Sequence, residues 1–301
     1  MADSRRPFVY NARFDSKIRG TSLSERLFVL LQHALPKLAL TRLAGRIAGA
    51  RGGALTRRLI TRFIARYGVN MAEAAQPDPA AYPTFNDFFT RALKPGARPL
   101  AASRLVCPVD GAISQFGDIH AGRVFQAKGR DYSAAALLAD ETAARAFDDG
   151  VFATIYLSPR DYHRIHMPCA GTLKSMTYVP GELYSVNPAT ARGVDALFAR
   201  NERVVCLFDS PVGEFALVLV GATIVGSMAT VWHGVVNPPR PGEVVRWDYS
   251  GQTIKLAQGE EMGRFLLGST VVLLFPKAAG LAFNPEWESA RAVRMGEAMA
   301  D

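Results

Sequence analysis

The segment FALVLVGATIVGSMATVWHGVVNPP, residues 215–239, decides how the chain folds because it contains no formally charged residue. Its length would suit a membrane-spanning helix, which needs about 20 apolar residues. Gly221, Gly226 and Gly234 interrupt it, together with serine, threonine and histidine side chains. Short β-branched stretches punctuated by glycine are typical of strands joined by tight turns. We therefore predict two or three buried strands here rather than a membrane span.

The same pattern recurs through the second half of the chain. Apolar, β-branched stretches bounded by Gly, Pro or Asn are GVFATIYL (150–157), GTLKSMTYV (171–179), RVVCLF (203–208) and STVVLLF (269–275). Their lengths are those of strands and not of helices. From about residue 100 onward the sequence therefore predicts a mostly β body.

The N-terminal part has a helical period instead. Ser22 and Glu25 have the spacing of a capping box, leucines then recur at helical intervals, and Pro36 predicts a break. A second helix follows Gly52-Gly53 and ends at Gly68. Its apolar stripe consists of Leu55, Leu59, Ile60, Phe63, Ile64 and Tyr67, and the remaining surface carries Arg57, Arg58, Arg62 and Arg66.

The positive charge of the chain is confined to this helical region. Residues 1–70 contain 14 Lys and Arg against three acids, so the remainder of a chain with net charge +8 is slightly acidic. Cationic helices with Leu and Phe on one face are typical of interfacial membrane helices. We expect Arg57, Arg58, Arg62 and Arg66 to bind an anionic membrane surface. Internal packing is an alternative, and the apolar stripe disfavours a nucleic-acid partner.

Together these patterns predict an α+β fold, in which N-terminal amphipathic helices precede a mostly antiparallel β body. Residues 1–75 would form a basic membrane-docking region, and residues 76–301 a β-rich domain. Residues 76–100 are rich in proline and predict a linker with one helical turn over 85–93.

Composition excludes several classes of protein. The apolar fraction of 49% and charged fraction of 21% are ordinary globular values, which excludes disordered and fibrous chains. Three cysteines, Cys107, Cys169 and Cys206, are too few for a disulfide framework, and their odd number fits a reducing compartment. Residues 1–7 show no secretory signal pattern.

Two histidines and one aspartate stand in turn-rich settings. His163 and His166 lie in YLSPRDYHRIHMPCAG (156–171), where a helical turn would place both on one face and a strand would turn them apart. Only Cys169 could add to them as a metal ligand, so we predict no metal site. Asp110, in CPVDG (107–111), is either a turn former or the acid that orients a histidine.

A glycine and a serine near the C-terminus could react with each other. In LGST (267–270), Gly268 has no Cβ to obstruct attack on its carbonyl, and Ser269 follows directly. The Ser269 hydroxyl can attack this carbonyl because the two groups are neighbours, which converts the amide into an ester. The step requires a base for the hydroxyl and a group that orients the base.

LGST, CPVDG and YLSPRDYHRIHMP together resemble the phosphatidylserine decarboxylases, a family of self-processing, pyruvoyl-dependent membrane enzymes. FNDFFTRALKPGARP, LYSVNP, LFARNERVV and GATIVGS add to the likeness, which runs from about residue 82 to residue 276. The basic N-terminal region is similar to the membrane-docking region of the bacterial enzymes in character rather than residue by residue.

The resemblance implies the residue roles. Asp110 would orient His166, which would take the proton of Ser269 during attack on Gly268, and elimination with loss of ammonia would convert Ser269 into a pyruvoyl cofactor. The products would be a β chain (1–268) and an α chain (269–301). The pyruvoyl group would form an imine with the amine of phosphatidylserine, CO2 would leave, and His163 would donate a proton to yield phosphatidylethanolamine.

The resemblance also implies a peripheral enzyme on the cytoplasmic side of the cell membrane, and a homodimer is possible. Three alternatives remain at this point. They are a membrane-associated serine hydrolase that uses Asp110, His166 and Ser269, a pyruvoyl decarboxylase for a soluble amino acid, and a non-enzymatic membrane adaptor.

Overall fold

The computed structural model describes residues 23–127, 129–224, 227–238 and 240–301. The expected capping residue Ser22 and the first part of the predicted 1–75 region therefore lie outside the described residues. Within these ranges the helices are α1 (Leu23–Ala34), α2 (Lys37–Gly49), α3 (Ala54–Tyr67), α4 (Phe85–Phe89), α5 (Ala134–Leu138), α6 (Glu141–Ala144), α7 (Pro188–Gly193) and α8 (Leu197–Arg200).

Strands dominate the chain after residue 100, as predicted. They are β1 (Leu105–Val106), β2 (Gly111–Asp118), β3 (Arg123–Ala127), β4 (Arg130–Ser133), β5 (Val151–Tyr156), β6 (Arg164–His166), β7 (Gly171–Val179), β8 (Arg203–Asp209), β9 (Phe215–Val220), β10 (Met228–Thr230), β11 (Gly234–Val235), β12 (Val245–Asp248), β13 (Lys255–Leu256), β14 (Glu261–Phe265), β15 (Thr270–Phe275), β16 (Ala292–Val293) and β17 (Ala298–Ala300). The uncharged run of residues 215–239 contributes β9, β10 and β11, which confirms strands rather than a span.

One large antiparallel sheet organises the body. Its strands follow the order β12-β7-β8-β9-β15-β5-β2-β16, and β13 pairs with β7 at one edge. A smaller sheet has the order β11-β10-β14-β6. β15 lies between β9 and β5 in the large sheet, and all six of its residues are buried.

The large sheet is buried on both faces because its strands alternate between two apolar clusters. Along β15, Val271, Leu273 and Phe275 join one cluster, whereas Val272 and Leu274 join the other. The first cluster includes residues of the smaller sheet, and the second includes residues of helices α5, α7 and α8. This double burial explains why these strands read as continuous apolar runs.

The break predicted at Pro36 is confirmed, since α1 ends at Ala34 and α2 begins at Lys37.

The apolar residues of the α3 stripe lie in two different environments. Ile60 is fully buried and packs with Phe85, Phe88 and Phe89 of α4, whereas Leu55 is 76% exposed. The helix predicted over 85–93 ends at Phe89, and its buried phenylalanines fix it against α3 rather than leaving a free linker.

Within the described ranges, no single helix is long and apolar enough to cross a membrane. α1 and α2 pass this test only as a pair, and they are bent by 84° at the break between them.

Candidate active site

The peptide between Gly268 and Ser269 directly precedes β15. The Ser269 carbonyl accepts a hydrogen bond from the Leu157 backbone N–H at 2.9 Å, and Thr270 then pairs with Tyr156 and Val220 in the sheet. Ser269 is 1% exposed, and its Oγ has no hydrogen-bond partner among the described residues. The sheet therefore fixes the backbone of Ser269 while leaving its hydroxyl available for chemistry.

His163 lies against this peptide. Its Nδ1 donates to the Asp161 carbonyl at 2.8 Å, and its ring packs on Phe89 with 4.0 Å between the ring centroids. Its Nε2 has no partner in the described part of the chain, and a Cβ built on Gly268 would lie 3.3 Å from this nitrogen. Because a carbonyl can only accept, Nδ1 carries the proton and Nε2 presents a lone pair.

Burial lowers the pKa of His163 to about 3, and the positive charge of Arg91 acts in the same direction. The imidazole is therefore neutral at neutral pH and can accept a proton at Nε2. A neutral imidazole beside the Gly268 end of this peptide can act as a general base when a hydroxyl comes within hydrogen-bond distance of Nε2, a contact that Ser269 Oγ does not make here.

This shift predicts acid sensitivity of the fold. A histidine with a lowered pKa binds fewer protons when folded, so its contribution to stability falls as pH drops below the unfolded value of 6.5. Between pH 7 and pH 5 the free energy of unfolding should fall by about 2 kcal/mol more in the wild type than in His163→Gln. Urea unfolding at the two pH values measures this, and equal losses in both proteins would contradict it.

His166 has different partners from His163. It ends β6, its Nδ1 donates to the Gly259 carbonyl at 2.8 Å, and its Nε2 accepts from the Tyr162 hydroxyl at 3.0 Å. Burial lowers the pKa of His166 and raises that of Tyr162 to about 12, so the tyrosine remains a donor. The strand, rather than a continued helical turn, gives the two histidines separate environments.

Asp110 is held by an arginine. Its carboxylate accepts from Arg98 Nε at 2.9 Å, from Arg98 Nη2, and from the Met295 backbone N–H at 2.9 Å. Arg98 also pairs with Glu73 at 2.8 Å. Burial alone would lower the pKa of Arg98, but the hydrogen bonds with the two carboxylates raise it above its usual range.

The hydrogen-bonded order Asp110–His166–Ser269 is therefore absent from the described residues. Arg98 outcompetes an imidazole for Asp110 because an ion pair with several hydrogen bonds is stronger than a neutral contact. Asp110 still lies near His166. The His166 backbone N–H donates to the Pro108 carbonyl, and the negative charge of Asp110 slightly opposes the lowering of the His166 pKa by burial. The structure thus brings His163 to Gly268, at the carbonyl side of the Gly268–Ser269 peptide, and holds Asp110 and His166 by other partners.

Sequence reasoning missed Arg98 and Tyr162 as partners. Both stand inside the quoted motifs, Arg98 in KPGARP and Tyr162 directly before His163. Their presence in these motifs could have marked them as site residues, but only the fold shows which side chains they contact.

An apolar cavity of about 310 Å³ connects the helices with the reactive peptide. Phe28 and Gln32 of α1 line it together with Phe63 and Tyr67 of α3, and Gly268 and Ser269 line it from the body. Among the described residues, no group of three or more His, Cys, Asp or Glu side chains could hold a metal ion.

The buried serine, the neutral imidazole and the adjoining cavity are features of an enzyme active site in an antiparallel β body. Comparison with known proteins narrows the class. The family model for phosphatidylserine decarboxylase matches residues 85–301, and a second model, described as PSD, matches residues 27–68. The chain belongs to the phosphatidylserine decarboxylase family, and it is a decarboxylase.

Curated relatives agree over nearly the whole chain. A phosphatidylserine decarboxylase proenzyme of Chromobacterium violaceum is 74% identical over 280 residues, which are 92% of this chain and all of the relative. Proenzymes of the same name from Delftia acidovorans and Acidovorax ebreus are each 68% identical over 279 residues, 92% of this chain and 98% of each relative.

Proposed function

We propose that this chain cleaves itself between Gly268 and Ser269, converts Ser269 into a pyruvoyl group, and then decarboxylates phosphatidylserine to phosphatidylethanolamine at a membrane surface. The observation that carries the proposal is the unpartnered Ser269 Oγ directly after Gly268, with the unprotonated Nε2 of His163 beside the same peptide. The names of the relatives, which are proenzymes, support both self-cleavage and the lipid substrate.

Residue 269 suits a pyruvoyl group. Its side chain is unpartnered, and the position borders the apolar cavity, through which an amine could approach. A pyruvoyl group supplies a ketone that binds the substrate amine and withdraws electrons from the carbon that loses CO2. The surrounding side chains Phe89 and Leu157 give the site an apolar lining, and low polarity favours the loss of a charged carboxylate.

The two chains produced by cleavage would stay associated because strands after the cleavage point pair with strands before it. After a cut before Ser269, β15 would still pair with β5 and β9, β16 with β2, and β17 with β1. These pairings join the 269–301 chain to the 1–268 chain without a covalent bond.

The two histidines divide the proton transfers in this proposal. His166 serves as the base for Ser269 during self-cleavage, assisted by Asp110, and this requires that Tyr162 and Arg98 release their present partners. His163 takes a proton at its free Nε2 from the substrate ammonium as the amine binds, and donates this proton to the carbon that has lost CO2. Its neutral Nε2 beside Gly268 could also take the proton of Ser269 without such a rearrangement, so the division needs a direct test.

We expect His166→Ala to remain one polypeptide of 301 residues, and His163→Ala to be cleaved but to lose at least about a hundredfold in CO2 release, the scale of a lost general acid. A denaturing gel and a radiolabelled-carboxylate assay measure the two outcomes. Cleaved His166→Ala together with uncleaved His163→Ala would reverse the two roles.

The N-terminal helices support a membrane location. Their exposed apolar side chains include Leu23, Leu27 and Leu30 of α1 and Leu55 of α3, all more than 60% exposed. Arg57, Arg58, Arg62 and Arg66 are exposed as well, and none pairs with a carboxylate in the described ranges. Apolar and cationic side chains on the same helices suit an anionic bilayer surface.

These helices also line the cavity that reaches Ser269, so a lipid in the bilayer could enter the site between α1 and α3. Peripheral binding on the cytoplasmic side of the cell membrane is part of this proposal, and the three buried free thiols fit a reducing compartment. A homodimer stays a prediction. The serine hydrolase and the adaptor lose their support, because the family is one of decarboxylases.

A further inference from the structure

The buried side chain of Arg91 lacks partners that a guanidinium normally has. Arg91 follows α4 and is 4% exposed, and its Nη2 donates to the Arg160 carbonyl at 3.3 Å. Its Nε and Nη1 have no hydrogen-bond partner among the described residues. Burial of an unpaired cation is unfavourable, so two free donors at such a position indicate an anion that completes the site.

A buried arginine elsewhere in the fold shows the contrast. Arg203 is 3% exposed, and it donates to the carbonyl oxygens of Ala136, Leu137 and Asn201. That arginine has a structural role, since its guanidinium is bonded to carbonyl groups of the protein. Arg91 has one such bond and packs on Phe88, with 5.5 Å from its guanidinium carbon to the ring centroid.

Arg91 lines a cavity of about 510 Å³ that also borders the active site. Tyr156 lines both this cavity and the apolar cavity that ends at Ser269. The carboxylates of Asp110, Glu73 and Asp161 line it too, but Arg98 pairs with the first two, Arg294 also pairs with Glu73, and the Ser158 hydroxyl and N–H bind the third. Arg91 therefore lines this cavity and has two donors, Nε and Nη1, that no described residue bonds.

We propose that Arg91 binds the phosphodiester of the phosphatidylserine headgroup, an inference that rests on the proposed function. A guanidinium fits two phosphate oxygens with paired hydrogen bonds. The phosphodiester keeps its negative charge throughout the reaction, whereas the carboxylate loses its charge as CO2 leaves. An arginine on the carboxylate would stabilise the starting state more than the transition state, which opposes catalysis.

Two substrates distinguish phosphodiester binding by Arg91 from a structural role and from contact with the carboxylate. Dihexanoyl-phosphatidylserine carries the phosphodiester, and O-hexyl-L-serine carries the same amine and carboxylate without it. We expect Arg91→Gln to lower kcat/KM for the first by about a hundredfold, mainly through KM, and to change the second less than about threefold. Arg91→Lys should recover part of the loss, and Arg123→Gln, an exposed arginine of β3, should change neither rate.

Binding without turnover gives a second readout. Calorimetric affinity for dihexanoyl-phosphatidylethanolamine should weaken in Arg91→Gln by a similar factor, while that for hexylamine should not change. Equal losses on both substrates would overturn the proposal, because they indicate a structural role or contact with the carboxylate. Unchanged rates and affinities would overturn it as well. A failure of the proposed function is distinguished from a failure of the Arg91 proposal by the intact mass of the wild type, which would then show no pyruvoyl terminus.

Discussion

Ser269→Ala should remain a single chain of 301 residues and release no CO2, because alanine offers neither the nucleophile for Gly268 nor the atoms of the ketone. The wild type should give two chains, 1–268 and 269–301. Intact mass of the smaller chain is the sharpest measurement, since a pyruvoyl terminus is lighter by one ammonia than the serine terminus that hydrolysis would leave.

Thr270→Val is the matched control for this experiment. Thr270 is the next residue, is fully buried, and also has an Oγ1 without a partner in the described part of the chain. Valine keeps its shape and its place in β15, so this variant should be cleaved and active. A cleaved, active Ser269→Ala, or a smaller chain that begins with serine in active wild type, would refute the pyruvoyl proposal.

Replacement of Arg57, Arg58, Arg62 and Arg66 together by serine should weaken binding to vesicles that contain phosphatidylserine by about a thousandfold at low salt, because each basic residue near an anionic surface adds about 1 kcal/mol to the affinity. The loss should shrink as salt rises, since salt screens the attraction in the wild type. Co-sedimentation with vesicles of known composition measures the effect, and vesicles of phosphatidylcholine alone should show little difference.

A second fourfold variant tests whether position or total charge matters. Lys277, Arg123 and Arg246 are exposed, Lys174 is half-buried, and all four lie on the β body, so their joint replacement by serine removes the same charge from another surface. This variant should bind vesicles like the wild type. Equal losses in both variants would show that net charge, and not α3, sets the affinity.

The class of fold followed from local patterns alone. Glycine-punctuated β-branched runs predicted the strands, and the uncharged run of 215–239 proved to be β9, β10 and β11. Local rules also predicted the break at Pro36 and the end of α3 before Gly68. These features depend on backbone geometry within a few residues, which sequence neighbours determine.

Contacts between distant residues were not predictable in this way. The helix of the proline-rich segment ends at Phe89 because its phenylalanines pack on α3. Which apolar residues of α3 are buried depends equally on this packing: Ile60 faces α4, whereas Leu55 remains exposed. A stripe in the sequence shows that a helix has an apolar side, but not what covers it.

The sequence by itself determined the α+β class and the family, and it predicted the residues that carry the chemistry, because these reside in short motifs. Only the tertiary structure decided that His163 lies at Gly268, that Arg98 holds Asp110, and that Tyr162 holds His166. It also left Arg91 buried with two unpaired donors beside the cavity. Hydrogen bonds and ion pairs act over a few ångströms between residues far apart in the chain, so partners are chosen by the packing of the sheets and helices.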